Sequence, residues 1–276
     1  MDRIRLIASD MDATLLDEQS QLPADFEETI HALAELGIRF APASGRPLYT
    51  LEAMFPTLQD ELVFIGDNGG AIRWKGQNLF TSEMSPEGWR ALNRLTREQG
   101  DIAVLCGLES AYVERPFAVH DAVLRHFYTK IEYVDRLEDV TAPADKFTIY
   151  LPQHNAQQAY DTVYASQRSI YSVAVAGECW VDIMNPGVHK GAALQTLGQL
   201  WGLPPECIMA FGDTYNDAEM LQTVRYGFLM ENGSEPLRRN VPFLAPSNRE
   251  AGVMQVLHRV LAQNGCVCPE DFVPAH

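Results

Sequence analysis

Four apolar runs in this chain are continuous where a half-wet strand would alternate: "RLIAS" at 5–9, "LVFIG" at 62–66, "CIMAFG" at 207–212 and "YGFLM" at 226–230. A strand with one solvated face alternates apolar and polar residues, so runs of this kind require a sheet covered on both faces. Helix-like segments separate them. The first, from about Pro23 to Leu36, is stopped by Gly37 and followed at once by the strand "IRFAPAS", a glycine just past the last periodic residue being a helix stop. This is the βαβ grammar of parallel pairing. A short helix is expected near Pro47–Met54, and "AIRW-KGQ-NLF" reads as a hairpin. The same grammar returns late in the chain, with a helix over Lys190–Trp201, a short helix through "DAEMLQ" and a last helix from about Glu250 to Leu261. The fold class predicted is α/β, a Rossmann-like doubly wound parallel sheet.

Residues 84 to 186 have another texture. Short hairpin-like strands such as "IAVLC", "AYVE" and the run "SVAVAGECWVDIM" mix with helices, as in an α+β unit. Because the core grammar resumes afterwards, we expect a core of residues 1–83 and 187–276 with a cap domain of residues 84–186 inserted into it. The junctions "TSEMSPEG" and "NPGVHKG" are rich in turn residues.

The chain of 276 residues is 46% hydrophobic and carries a formal net charge of −16. That field repels phosphate backbones and anionic lipids, which argues against nucleic acid or membrane as a partner and for a small molecule. An anionic substrate would need local positive groups. No basic-then-apolar leader opens the sequence, and no apolar run nears the roughly 18 residues that span a bilayer, so a cytoplasmic location is expected. Five scattered cysteines suit reduced thiols better than a disulfide framework; Cys266 and Cys268 form a C-x-C pair with no second pair to complete a metal site.

In an open parallel sheet, ligands bind outside the carboxyl ends of the strands. Four polar clusters fall there: Asp10-Met-Asp12-Ala-Thr14, Ser44-Gly45-Arg46, Lys190 at the start of a helix, and Gly212-Asp213-Thr-Tyr-Asn216-Asp217. Each alone could be an ordinary turn or cap, and their convergence on one edge is what points to chemistry. Asp10, Asp12, Asp213 and Asp217 would crowd four carboxylates together, which raises their pKa values or requires a cation. Mg²⁺ suits an all-oxygen set and keeps places for water and a substrate phosphate. One carboxylate could also be a nucleophile, with a second moving the proton, while Lys190, Ser44 and backbone amides balance charge on the transferring group.

The order D-x-D-x-T, S-G-R, a later lysine and G-D-x-x-N-D-x-x-M-L resembles the haloacid dehalogenase superfamily of phosphohydrolases, most closely its Cof-like sugar-phosphatase branch with a large inserted cap. The resemblance implies an Mg²⁺-dependent phosphatase acting on a small phosphorylated metabolite such as a sugar phosphate or phosphorylated cofactor. By position it implies Asp10 as nucleophile, Asp12 as general acid/base with its backbone carbonyl facing the metal, and Lys190 as the neutralising cation. Thr14 would steady the first loop and help bind phosphate, Ser44 and Gly45 would hold phosphate, and Asp213 would be the acidic metal ligand. Asn216 and Asp217 would orient phosphate and metal waters, and Arg46 and Asn68 would face the substrate. The metal set implied is therefore Asp10, Asp12, Asp213 and Asp217.

Three departures stand out. Ala13 replaces a usual glycine, "DNGG" stands where "NGA" is commoner, and Glu231 in "MENGSE" would add negative charge near the entrance. Two other classes remain in view. A phosphotransferase or phosphomutase could use the same aspartyl-phosphate, and a receiver-like phosphate-binding regulator shares an acidic pair, a hydroxyl residue and a lysine. The inserted segment and "GDTYND" argue against a receiver. Trp89, Tyr112, Phe117 and Tyr128 are left as core aromatics, and His189 as a loop residue.

Overall fold

The computed structural model describes residues 1–276. The first stretch runs β1 (Asp2–Arg3), β2 (Leu6–Asp10), α1 (Phe26–Glu35), β3 (Arg39–Ala43), α2 (Leu48–Ala53), β4 (Val63–Gly66), β5 (Ala71–Trp74) and β6 (Gln77–Thr81). The helix expected from Pro23 starts only at Phe26, because Pro23 to Asp25 are used in the turn that delivers it. The middle runs α3 (Pro86–Gln99), β7 (Ile102–Gly107), β8 (Ala111–Glu114), α4 (Asp121–Phe127), β9 (Ile131–Val134), β10 (Ala144–Tyr150), α5 (Ala156–Asp161), β11 (Ser172–Val175) and β12 (Trp180–Met184). The last stretch runs α6 (Lys190–Trp201), β13 (Ile208–Gly212), α7 (Ala218–Thr223), β14 (Tyr226–Met230), β15 (Phe243–Ala245), α8 (Gly252–Ala262), β16 (Cys266–Val267) and β17 (Val273–Pro274).

The first and last stretches build one nine-stranded sheet in the order β17-β15-β14-β13-β2-β3-β4-β5-β6. From β15 to β4 every neighbour is parallel, and the β4-β5-β6 meander and β17 add antiparallel edges. Strand β2 explains why the apolar runs do not alternate. Ile7 packs into a core with Phe26 and Ile30 of α1 and Leu257 of α8, while Leu6 and Ala8 pack on the other face with Leu194 of α6 and Met220 of α7. Both faces are covered, as the continuous runs require.

The middle stretch forms a separate six-stranded sheet, β11-β12-β10-β7-β8-β9, antiparallel except for β8 beside β9. Helices α3 and α5 cover one side through Trp89, Leu92, Ala156 and Ala159. The opposite side carries Tyr128, Tyr150 and Trp180 and faces the carboxyl edge of the larger sheet. The molecule is thus a doubly wound α/β core with an inserted α+β cap. The chain turns in opposite directions from β2, to β3 on one side and to β13 on the other, and a crevice opens where such a sheet reverses. No helix is long and apolar enough to cross a membrane.

Candidate active site

Strand β2 ends at Asp10, and the chain then turns sharply: Asp12 is extended, Ala13 lies in the left-handed region at φ 59°, and Leu16 N returns a hydrogen bond to Met11 O at 2.9 Å. The turn is held from outside by Asn232, whose Nδ2 donates to Ala13 O at 2.8 Å. This is the work done by the "MENGSE" loop. Glu231 is not near the entrance as expected; it lines a separate small cleft with Glu235 and Arg238, because its amide pairs with Ala245 and turns it away.

Lys190 is the first residue of α6 and is fully buried. Its Nζ donates to Asp10 Oδ1 at 2.5 Å and to Asp217 Oδ1 at 2.7 Å. His189 caps the helix, its ring accepting from Ala192 N. The other oxygen of Asp217 accepts from Asp213 N at 3.0 Å and Thr214 N at 3.2 Å. Gly212 is needed for this fold-back, since a Cβ there would meet Asp217 Cβ at 2.4 Å. Carboxylate oxygens of Asp10, Asp213 and Asp217 lie within 4.8 Å of one another. Burial pushes the Asp10 carboxyl up to about 8 against the opposing pull of Lys190, with Asp217 and Asp213 adding to the rise. Burial and Asp217 bring Asp213 to about 6. Lys190, which burial alone would lower, is raised by Asp10 and Asp217 and stays charged.

Three of the expected site residues have side-chain partners of their own. Asp12 sends its carboxylate outside the three-acid cluster, where Arg46 Nη2 pairs with it at 2.8 Å. Asp217 uses both oxygens to brace the lysine and the 213–214 loop, and it lies with Asp10 and Asp213 in the three-acid cluster. Thr14 is buried and its hydroxyl donates to Asp213 Oδ1 at 3.3 Å, which ties the first loop to the acid.

The donor set fits a hard divalent cation. No hydrogen bond takes the second oxygen of Asp10 or of Asp213, both side chains are largely buried, and the carboxylate repulsion that adds to burial in raising their pKa values is what a cation would offset.

Ser44, Gly45 and Arg46 form a turn after β3. Ser44 Oγ accepts from Arg46 N at 3.1 Å, and the Arg46 guanidinium reaches Asp12. Asn68 sits in the turn Asp67-Asn68-Gly69, where φ is 50°, 54° and 98° in succession. Its Nδ2 donates to Asp182 Oδ2 of the cap at 3.0 Å, and its Oδ1 receives Asn216 Nδ2 at 3.5 Å.

These residues surround a cavity of about 600 Å³ closed from above by the cap. Asp10, Asp12, Ser44, Arg46 and Asp213 form its floor, and Tyr128, Lys146, Thr148, Trp180 and Asp182 its roof. A neighbouring groove of about 760 Å³ lies along the edge strand β11 and joins it through Asn68, Thr214 and Asn216. The sequence reading missed Lys146, Asp182 and Thr148. The available signal was charge inside strands that are otherwise apolar, "ADKFTIY" and "WVDIM".

A family model described as haloacid dehalogenase-like hydrolase matches residues 7–257. Among similar proteins, the 5-amino-6-(5-phospho-D-ribitylamino)uracil phosphatase YbjI of Escherichia coli (strain K12) is 32% identical over 94% of this chain and 96% of its own. The HMP-PP phosphatase of Cronobacter sakazakii (strain ATCC BAA-894) is 31% identical over 87% of this chain and 89% of its own. A crystal structure of a Streptococcus mutans UA159 protein superposes with a TM-score of 0.85 at 28% identity, covering 94% of this chain and 99% of that one.

Proposed function

The chain belongs to the haloacid dehalogenase-like hydrolases and is a phosphoric monoester hydrolase of that family; from that premise we propose that it cleaves small phosphomonoesters through an aspartyl-phosphate on Asp10, with Mg²⁺ as cofactor. The observation that carries this reading is the state of Asp10. Lys190 grips one oxygen, no group takes the other, and the buried carboxyl lines the cavity. A carboxylate so oriented can attack phosphorus and expel an alcohol.

Asp12, two residues on and more than half exposed, stands over the same cavity and can protonate the leaving oxygen, then take the proton of the attacking water. Arg46 fixes its direction. Ser44 Oγ and the Gly45 amide receive the phosphoryl oxygens, and Lys190 pulls Asp10 toward its ionised form and neutralises the growing charge. Asp10 and Asp213 would hold Mg²⁺ with Asp213 steadied by Thr14, and the ion when bound would offset the negative charge gathered between carboxylates and phosphate. We read residues 84–186 as the cap that excludes water and residues 1–83 with 187–276 as the catalytic core.

The substrate proposed is a phosphorylated small molecule whose ring-bearing leaving group fits under Tyr128 and Trp180. The volume and aromatic roof support this, as does the uracil-bearing substrate in the name of the Escherichia coli relative. A panel of esters including p-nitrophenyl phosphate, a sugar phosphate and a phosphorylated pyrimidine tests it. Phosphate release with Mg²⁺ that stops in EDTA is expected, and Asp10→Asn should be folded and inactive. Full activity in EDTA overturns the metal, and turnover by the Asp10→Asn variant overturns covalent catalysis.

A further inference from the structure

All three carbonyls of the Ser44-Gly45-Arg46 turn are occupied. Ser44 O accepts from Asn68 N and Arg46 O from Asp67 N, each at 2.9 Å. These two partners belong to the core. The third does not: Gly45 O accepts from Lys146 Nζ at 2.5 Å, a side chain that descends from β10 of the cap. With its carbonyls tied, the turn lines the cavity, and the Gly45 amide donates to no protein acceptor. Ser44 N donates to Ile65 O and Arg46 N to Ser44 Oγ, so the turn offers an anion the Gly45 amide and the Ser44 hydroxyl that Arg46 N holds.

Lys146 is only 2% exposed, and its ammonium also meets Asp67 Oδ1 of the core at 3.1 Å and Asp182 Oδ2 of the cap at 3.4 Å. Asp182 is itself fixed by Thr148 Oγ1 at 2.7 Å and by Asn68 Nδ2. The strand is shaped for the contact. Asp145 is the extra residue of a β-bulge between Ala144 and Lys146 against β7, a device that re-aims a side chain, and its carboxyl reaches the core turn, where a Cβ on Gly70 would lie 3.0 Å from Oδ2. A buried ion cluster is weak evidence for stability, because an apolar layer of the same volume serves as well. A cluster that spans two domains and ends on the carbonyl of a phosphate turn has a different use.

Resting on the phosphatase reading, we infer that Lys146 is a positioning residue for phosphate capture. Seating the cap places its ammonium on Gly45 O and fixes the Gly45–Arg46 peptide, whose amide holds the Ser44 hydroxyl, so that phosphate binding and cap closure strengthen one another. The cap then senses phosphate as well as leaving group.

Inhibition by inorganic phosphate in the presence of Mg²⁺ separates the cases, because phosphate carries no leaving group. In Lys146→Met the inhibition constant should rise about tenfold, a change of about 1.4 kcal/mol, and kcat/KM should fall by a similar factor for acetyl phosphate and for a bulky ester alike. The double variant Asp67→Asn/Lys146→Met, which leaves one fewer buried carboxylate without its cation, should fold more readily and behave the same. An unchanged inhibition constant, with loss confined to bulky esters or to melting temperature, overturns the inference and leaves a leaving-group contact or a structural lysine. On the unaltered chain, added phosphate should slow amide hydrogen exchange in 43–47 and 144–150 together, and protection of the first segment alone overturns it. Absence of phosphate release from every ester by the unaltered chain is a failure of the phosphatase reading and is seen before any variant is made.

Discussion

The decisive quantity at the scale of single residues is the proton on Asp10. Its carboxyl is held near 8 by burial, so a cation arriving at neutral pH must displace a proton to reach it. Metal binding therefore releases that proton, and apparent Mg²⁺ affinity should weaken up to tenfold for each pH unit below about 8 and level off above it. Calorimetric titration with MgCl₂ at several pH values measures the slope, and a pH-independent Kd contradicts the competition. The stability sign follows from the same shift. A carboxyl whose folded pKa lies above its unfolded value of 3.8 contributes stability that is present at low pH and lost as pH rises through the folded value. The metal-free chain should accordingly melt lower at pH 8.5 than at pH 6, and saturating Mg²⁺ should close much of that gap. Ala13 is a smaller case. Its φ of 59° disfavours a Cβ by about 1 kcal/mol, while glycine costs about 0.5–1 kcal/mol in chain entropy. Ala13→Gly should shift the melting temperature by no more than a few degrees and keep turnover, whereas Ala13→Val, branched at a left-handed position, should lower both. The sequence already marked this position as one where glycine is usual, so its backbone state was legible before the fold was known. Thr14 and Asp217 were legible only as members of the site, because their hydrogen-bond partners lie across the fold or in the backbone.

Local signals served the elements best where the cause of the element was itself local. Helix α6 has its expected bounds, Lys190–Trp201, because His189 caps one end and Gly202, in the left-handed region at φ 61°, closes the other. The hairpin of β5 and β6 turns at Lys75 and Gly76, both with positive φ, as the "KGQ" spacing implies. Strand β10 was opaque for the opposite reason. Lys146 and Thr148 look like outward polar positions of a half-wet strand, and only pairing with β12, which sets Thr148 opposite Asp182, reveals that the face is buried. The turn Asp67-Asn68-Gly69 was legible as a loop, yet its interlock with α6 was not. A Cβ on Gly69, where φ is 98°, would lie 2.6 Å from the carbonyl oxygen of His189, the residue that precedes Lys190. Gly69→Ala should therefore destabilise by about 2–3 kcal/mol through combined strain and collision, lowering the melting temperature by about 5–10 °C for a chain of this size. Turnover measured well below the new melting point should also fall, since the displaced backbone carries the lysine. Gly76→Ala is the control: φ is +70° there too, but nothing lies within 4 Å. It should cost about 1 kcal/mol and leave turnover intact.

Across the whole molecule the net charge of −16 set a requirement that the structure meets in one place, for Lys190, Arg46 and Lys146 all converge on the cavity while most other cations lie outside it. Further out, two more contacts tie cap to core. Thr129 N donates to Thr50 Oγ1 at 3.0 Å, and Arg73 of β5 joins Glu52 of the core at 3.1 Å to Glu109 of the cap at 2.7 Å. The Glu109 side chain is 70% exposed, and an ion pair of that kind contributes about 0–1 kcal/mol. Such an amount shifts global unfolding, which must break both cores, by no more than about 3 °C. Cap closure is a different equilibrium, between two folded arrangements, and there 1 kcal/mol changes the closed-to-open ratio by about fivefold. Glu109→Ala should thus lower the melting temperature by no more than about 3 °C while raising KM by about two- to fivefold for every ester tested. Salt provides the independent check, because about 0.5 M NaCl screens an exposed pair. It should raise KM of the unaltered chain by more than that of Glu109→Ala, and an equal response in both proteins means that the pair does not hold the cap.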